Sequence, residues 1–420
     1  MFYRKNKNER LPATSNQQPA TSNQQPATSN QQPATSFRFT LLALAICVFS
    51  SNIAYAKKPV KKQRLKAQQT QITTKSNVKT QNLATQIAIA PIATFKNPLL
   101  PNTTRPSIKS IALSANGAQV LAGSVDGLIK AWDISTGNVV FTTNNPQLSA
   151  IGSTKFTSPV SAVAYSPDSQ TFIAGSHPGT ALFDANTGKL IKLFIKSTPF
   201  SRSLAFSPNG KTFAVGSADQ QLAPTHVGSI QIIQVETGNV LITIPQKGNV
   251  TSVAFSPDGL SIATINQQEI TLWDAATGQK IRNFDIHNYV KDQEYARAVA
   301  FSPDGKTLVT GGGENTPWHG IVKTWKVSDA TLINTAQLSQ PVETVTFNHA
   351  GDKIAVGTFG TDVYVYDATN LKLQTTYSGN KDSNATSGHT GTIHAVAFSL
   401  DDKTLFSGSQ DQSIKLWQVQ

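Results

Sequence analysis

From residue 108 to its end, this chain of 420 residues alternates apolar and polar positions in short runs, with no stretch at helical spacing. Such runs predict half-buried strands. They come in groups, each opening with one strand and a tight turn. The turns are Ser114-Ala-Asn-Gly117, Ser166-Pro-Asp-Ser169, Ser207-Pro-Asn-Gly210, Ser256-Pro-Asp-Gly259, Ser302-Pro-Asp-Gly305, Asn348-His-Ala-Gly351 and Ser399-Leu-Asp-Asp402. Proline presets φ there, Asp or Asn bonds its own backbone, and glycine takes the positive-φ slot. A second strand follows, as in Thr171-Phe-Ile-Ala-Gly-Ser176 or Lys353-Ile-Ala-Val-Gly357. A third ends in an aromatic residue and usually Asp: Trp132-Asp133, Phe183-Asp184, Trp273-Asp274, Tyr366-Asp367. After Thr-Gly or a similar turn, a fourth strand such as Val240-Leu-Ile-Thr-Ile244 completes the group. The first turn residues stand 52, 41, 49, 46, 46 and 51 apart. Seven four-stranded units at this period predict an all-β fold, a seven-bladed β-propeller of antiparallel blades.

The co-registered turns and Trp-Asp pairs resemble the WD-repeat (WD40-type) β-propeller family, over about 330 of the 420 residues. The N-terminal segment described below makes the likeness one to an exported, bacterial-like member. Ile233-Gln234, Trp325-Lys326 and Trp417-Gln418 depart from Trp-Asp in blades three, five and seven, and the family's Gly-His start appears once, at Gly388-His389. The resemblance therefore implies a single hydrogen-bonded tetrad, His389, Ser409, Asp411 and Trp417 in blade seven, with apolar packing holding the other blades. Blade seven runs out of chain after its third strand, Ser413-Ile-Lys-Leu-Trp417. Its fourth strand is expected from Gln86-Ile-Ala-Ile-Ala-Pro-Ile-Ala-Thr-Phe95, where Pro91 suits an outermost edge. Closure of the ring by an N-terminal strand is also what the family implies, so residues 86–420 form the expected propeller.

The chain ahead of it has a different character. Residues 1–36 carry the heptapeptide Pro-Ala-Thr-Ser-Asn-Gln-Gln from Pro12, Pro19 and Pro26, begun again at Pro33. Without an apolar seam it excludes a coiled coil and predicts a disordered low-complexity segment. Residues 37–56 join a basic flank, an apolar run and the small-x-small ending Ala54-Tyr-Ala56, which reads as a signal peptide. The run falls short of the roughly 20 residues of a membrane span. An uncleaved anchor stays open, because the segment ahead is long and Lys57 and Lys58 follow the cut. Cys47, the sole cysteine, follows Ile46 instead of the small residue lipid attachment needs. Residues 57–85 read as a basic disordered linker or a tether touching an anionic envelope surface. The nuclear-import likeness of Lys57 to Lys66 is set aside by the export segment before it.

Charge sharpens this division. Of 36 Lys and Arg, 13 precede residue 81 against one acidic residue, leaving 23 of each sign in 81–420. The net charge of +12 belongs to the N-terminal region, and no nucleic-acid-binding face is expected on the propeller. Hydrophobic residues at 39% exclude wholesale disorder, and one cysteine excludes a disulfide scaffold.

No catalytic constellation is legible. The seven histidines (His177, His226, His287, His319, His349, His389, His394) show no i, i+4 or His-x-Glu spacing. Gly311-Gly-Gly313 precedes no helix and reads as a loop, and the turn Asp residues recur by period. Neither a cofactor nor a metal is expected. Interest shifts to stretches longer than the shortest unit: 144–159, 218–228, 285–296, 311–320 and 378–391. All join strand two to three or one blade to the next, on the rim called the top. Trp318, outside the repeat register, leads the candidate partner-binding residues with His319, Tyr289, Tyr295 and His226. Trp318 could instead cap its blade edge.

The expected function is a non-catalytic, monomeric scaffold, exported or envelope-associated, that binds protein partners of unknown identity on its top face. Two rivals stand beside it. One is a small-ligand or glycan receptor using Trp318 and Tyr289. The other is a propeller-type hydrolase, lyase or quinone-dependent dehydrogenase, which needs carboxylates, His or Arg converging at the channel mouth. Inner strands such as Val253-Ala-Phe255 and Val299-Ala-Phe301 are apolar and small, which argues against it.

Overall fold

The computed structural model describes residues 91–96, 107–144, 158–176, 179–194, 201–218, 228–266, 269–285, 294–315, 318–378 and 388–420. All fall within one compact unit, 82–420. They form 28 strands in seven four-stranded antiparallel sheets, a seven-bladed propeller. The expected signal segment, the linker and residues 86–90 lie outside the described residues. The inner strands are Ile108–Leu113, Ala162–Tyr165, Ser201–Phe206, Ser252–Phe255, Glu294–Phe301, Val342–Phe347 and Ile393–Phe398. Each neighbours the next, and the last neighbours the first, so the ring is closed.

Closure uses the N-terminal strand. Ala93–Lys96 pairs antiparallel with Ser413–Gln418, Phe95 lying opposite Ile414, and forms the outer edge of blade seven. The Ile92 N–H donates to Leu416 O at 2.7 Å, while Pro91 stays ahead of the strand, where its missing N–H costs nothing. Phe95 is buried and stacks on Trp132 of blade one at 6.2 Å, so the strand also seals the seam between last and first blades.

The turns follow their residues. Gly117, Gly210, Gly259, Gly305 and Gly351 have φ between 68° and 77°. Ser169 and Asp402 take the same slot at 59° and 56°, so the backbone shape is kept where glycine is missing. Ser166, Ser256 and Ser302 donate their hydroxyls to Asp168, Asp258 and Asp304 at 2.5–2.6 Å. The same carboxylates accept the N–H of Gln170, Leu260 and Lys306. These serine and backbone donors hold the three carboxyls below their usual range. The periodic aspartates are turn residues.

Seven apolar clusters fill the structure, each shared by two neighbouring blades. Their tightest point has one rule. A glycine near the end of a blade's second strand admits the residue at the head of the next inner strand. A Cβ on Gly311 would meet Val342 Cγ1 at 2.4 Å, and one on Gly216 would meet Val250 Cγ1 at 2.7 Å. Blade four inverts the sizes: Ile265 fills the glycine slot, and the next head residue is Ala296. Volume across the seam is conserved.

One expected loop is not a loop. Gly311-Gly-Gly313 lies within strand Thr307–Asn315, which pairs with Trp318–Lys326 out to Asn315 opposite Trp318. The glycines are needed because Tyr295 and Val342 press against them: a Cβ on Gly312 would sit 1.9 Å from Tyr295 O. The inserted length in blade five extends a hairpin.

Candidate partner-binding rim and channel mouth

Trp318 stands at the tip of that hairpin and is 61% exposed. Its ring lies 6.3 Å from that of Phe359, which occupies the matching connection of blade six. It therefore leans on the neighbouring blade without entering either core. Tyr295 is the second residue of the inner strand of the same blade, and the Arg297 Cζ lies 5.3 Å from its ring and 4.8 Å from that of Phe359. His319 is half-buried behind the tip, its Nε2 3.8 Å from Glu314 Oε2. The structure thus brings Trp318, Phe359, Tyr295 and Arg297 together on one rim. Tyr289 and His226 lie outside the described residues. Phe359 was not singled out by sequence, since it looks like one more strand-end aromatic.

The channel mouth departs from the sequence expectation. The inner strands are apolar along most of their length, but in five blades a β-bulge interrupts the head of the strand. The extra residues are Lys109, Arg202, Arg297, Glu343 and His394. A bulge re-aims the residue it inserts, and here four of the five meet. The Lys109 ammonium, which can only donate, bonds His394 Nε2 at 3.0 Å. His394 Nδ1 then faces Glu343 Oε1 at 3.6 Å, and Glu343 Oε2 lies 3.4 Å from Arg297 Nη1. Burial lowers the pKa of Arg202, and the like charge of Arg297 lowers it further. Burial also lowers that of Lys109, against the pull of Glu343. A signal for this site was present. Read five residues upstream of each turn, the seven units give Lys109, Ser161, Arg202, Thr251, Arg297, Glu343 and His394, a wholly polar column in an apolar strand.

The blade-seven tetrad forms, with one change of member. Trp417 Nε1–H donates to Ser407 Oγ, the Ser407 hydroxyl donates to His389 Nε2, and His389 Nδ1–H donates to Asp411 Oδ2, each at 2.7 Å. Ser407, not Ser409, is the link. Leu405 pairs with Trp417, so Ser407 sits one same-face step above it, under the indole N–H. Ser409 is a further step away, where its hydroxyl donates to Gly391 O at 3.0 Å and accepts from the Asp411 N–H. Burial opposes ionisation of Asp411, yet the His389 bond and charge, with Ser413 and Thr390 donors, bring its pKa down to about 2. Burial lowers the pKa of His389, more than the Asp411 bond raises it. Nor do the other blades rely on apolar packing alone. Trp273 and Trp325 donate to Thr264 and Thr310 at 2.8 and 2.9 Å, the indole–hydroxyl half of the tetrad without its histidine.

A depression on the opposite rim, between blades five and six, is lined by Ser302, Pro303, Asp304, Phe347 and Ala350. Its only charge is the turn residue Asp304. Among the described residues no group of three or more His, Cys, Asp or Glu is placed to hold a metal ion.

Five stretches of the chain, 91–133, 148–183, 190–222, 278–326 and 380–418, match the family described as WD domain, G-beta repeat. Pre-mRNA-processing factor 19 of Oryza sativa subsp. japonica is 24% identical across 58% of this chain and 51% of its own length. The guanine nucleotide-binding protein subunit beta of Zea mays is 21% identical across 61% of this chain and 80% of its own. The serine-threonine kinase receptor-associated protein of Mus musculus is 26% identical across 39% and 40% respectively. The chain spans about half the length of the first of these. All three relatives are eukaryotic and lend no support to a bacterial-like, exported type. Seven four-stranded blades, co-registered turns and an indole–hydroxyl–imidazole–carboxylate chain in blade seven accompany those five stretches, along which this propeller is similar to the WD domain, G-beta repeat family.

Proposed function

We propose that this chain is a non-catalytic scaffold that binds protein partners on the rim carrying Trp318, Phe359, Tyr295 and Arg297. The observation that carries the reading is the largely exposed indole of Trp318, held against Phe359 at the edge of a rigid ring. Large amphipathic rings with few rotatable bonds bind at low entropic cost, which is why they dominate binding hot spots. Two relatives fit in name, one a subunit and one a receptor-associated protein. Among the described residues the mouth offers one carboxylate, Glu343, already shared by Arg297 and His394, and so no carboxylate pair for hydrolysis. The test is to measure melting temperature and partner affinity together for Trp318→Ala, with Asp168→Ala and Asp304→Ala on the opposite rim as controls. Trp318→Ala loses affinity and keeps its melting temperature; the controls keep their affinity.

The proposed setting is outside the cytoplasm, on the strength of residues 37–56. Native protein then begins at Lys57 by N-terminal sequencing. A chain that retains residues 37–49 would be anchored instead.

A further inference from the structure

The hairpin that carries Trp318 outruns its neighbours. Leu338, the last residue of the outer strand Leu332–Leu338, pairs with Gly320, and the inner strand begins at Glu294, opposite Glu314. Among the described residues, no outer strand covers His319 or Trp318. The tip holds itself together by two pairs, Glu314 with His319 and Asn315 with Trp318. A two-stranded ribbon is marginal on its own, so the side chains facing each other across it decide how firmly the indole is seated.

That facing pair is titratable. His319 Nε2 lies 3.8 Å from Glu314 Oε2, and the two side chains are 18% and 21% exposed. On the other side of Glu314, directly opposite in the register, stands Glu294, which accepts a buried bond from the Lys323 ammonium. The remaining described charges at this end are Arg297, paired with Glu343, and Asp285, which follows the outer strand of blade four. His287, Lys291 and Asp292 of the connection between them lie outside the described residues. Like charges directly opposite in an antiparallel pair repel, and unlike charges attract. A cation on His319 therefore answers Glu314 across the tip and offsets the repulsion between Glu314 and Glu294. Histidine is the side chain that ordinarily gains such a charge within about pH 5–8.

We propose that protonation of His319 seats Trp318, so that the rim takes its partner more tightly in mild acid than at neutral pH. The seating stands on the geometry of the tip, while its effect on binding rests on the scaffold reading of the same rim. His319 is a positioning residue, half-buried behind the indole that makes the contact. The coupling is reciprocal: a partner that needs the seated indole takes up a proton as it binds.

The full chain is labelled with 5-fluorotryptophan, and the fluorine resonance that vanishes in Trp318→Phe is followed from about pH 8 to pH 5. In the wild type that resonance moves through one transition. His319→Gln holds it at the position of the neutral imidazole throughout, and His319→Lys holds it at the position reached in acid. Glu314→Gln removes the transition from the other side of the tip, and it decides together with His319→Gln if His319→Lys melts early. Asp304→Asn, on the opposite rim, leaves the transition in place. A wild-type resonance that ignores pH overturns the proposal. So does a transition that persists in His319→Gln, which would give it to another group such as His394. If the resonance is flat while Trp318→Ala still loses its partner, the switch falls and the scaffold reading stands. If it titrates while Trp318→Ala binds like wild type, the seating stands and the role of the rim falls.

Discussion

A chain lacking residues 91–96 is expected to lose cooperative unfolding and to aggregate. Those residues supply the whole outer strand of blade seven, so their removal leaves Ser413–Gln418 with a row of unpaired backbone groups. An exposed, flat strand edge invites pairing with other chains. The deletion also strips Phe95 from the seam with blade one, where it stacks on Trp132. Emptying one buried phenylalanine site costs about 3–5 kcal/mol, and whole domains are stable by only about 5–15 kcal/mol. Without its seal the ring opens at the joint between its first and last blades. Deleting 57–80 instead, the stretch whose composition reads as a solvated linker, leaves the melting temperature unchanged. Circular dichroism melts of the two truncations compare them, and identical curves would remove the closing strand from the account.

His389→Ala is expected to cost about 3 kcal/mol of stability. The substitution takes from Asp411 its imidazole donor and from Ser407 its acceptor, in a site where Trp417 is fully buried. Its effect carries a pH signature. Folding lowers the pKa of His389, so between that value and the ordinary one near 6.5 the unfolded chain binds the extra proton. The stability this neutral imidazole contributes is complete above pH 6.5 and falls as the pH drops below it. Asp411, held at about 2, adds a second loss as the pH falls through about 4 toward 2. Wild type therefore softens in acid in two stages, and His389→Ala lacks the first. Urea midpoints from pH 8 to pH 2 read it out. A variant as stable as wild type, or one that keeps both stages, would show that the chain of hydrogen bonds contributes nothing.

The blade order, the turn geometry and the closing strand are all legible in the sequence because each is written in repeated or paired features. A turn seen seven times averages out its own exceptions, as Ser169 and Asp402 show by keeping the positive φ of the missing glycine. The missing fourth strand of blade seven is an arithmetic fact, and Pro91 confines the candidate to an edge. What sequence reading misses are displacements of one or two residues. The bulges that turn Lys109, Arg202, Arg297, Glu343 and His394 to the mouth add one residue each to strands that still look apolar. Only alignment on the turns exposes the polar column. Ser407 and Ser409 point to the same face of one strand, and pairing register alone decides which lies beneath the Trp417 indole. The extended hairpin of blade five is hidden by its three glycines, which read as a loop until Tyr295 and Val342 are seen packed against them.

The central claim is that partners bind the rim of Trp318, and its most direct measurement is the partner affinity of Trp318→Ala against that of Asp168→Ala and Asp304→Ala. Removing an aromatic hot spot costs about 2 kcal/mol or more, roughly a thirtyfold rise in Kd. The account predicts that rise for Trp318→Ala, with a melting temperature equal to wild type, because the side chain is exposed and lies outside every apolar cluster. It predicts wild-type Kd for the two turn variants. An unchanged Kd for Trp318→Ala together with weakened binding by Asp168→Ala or Asp304→Ala would place the working surface on the opposite rim and contradict the account.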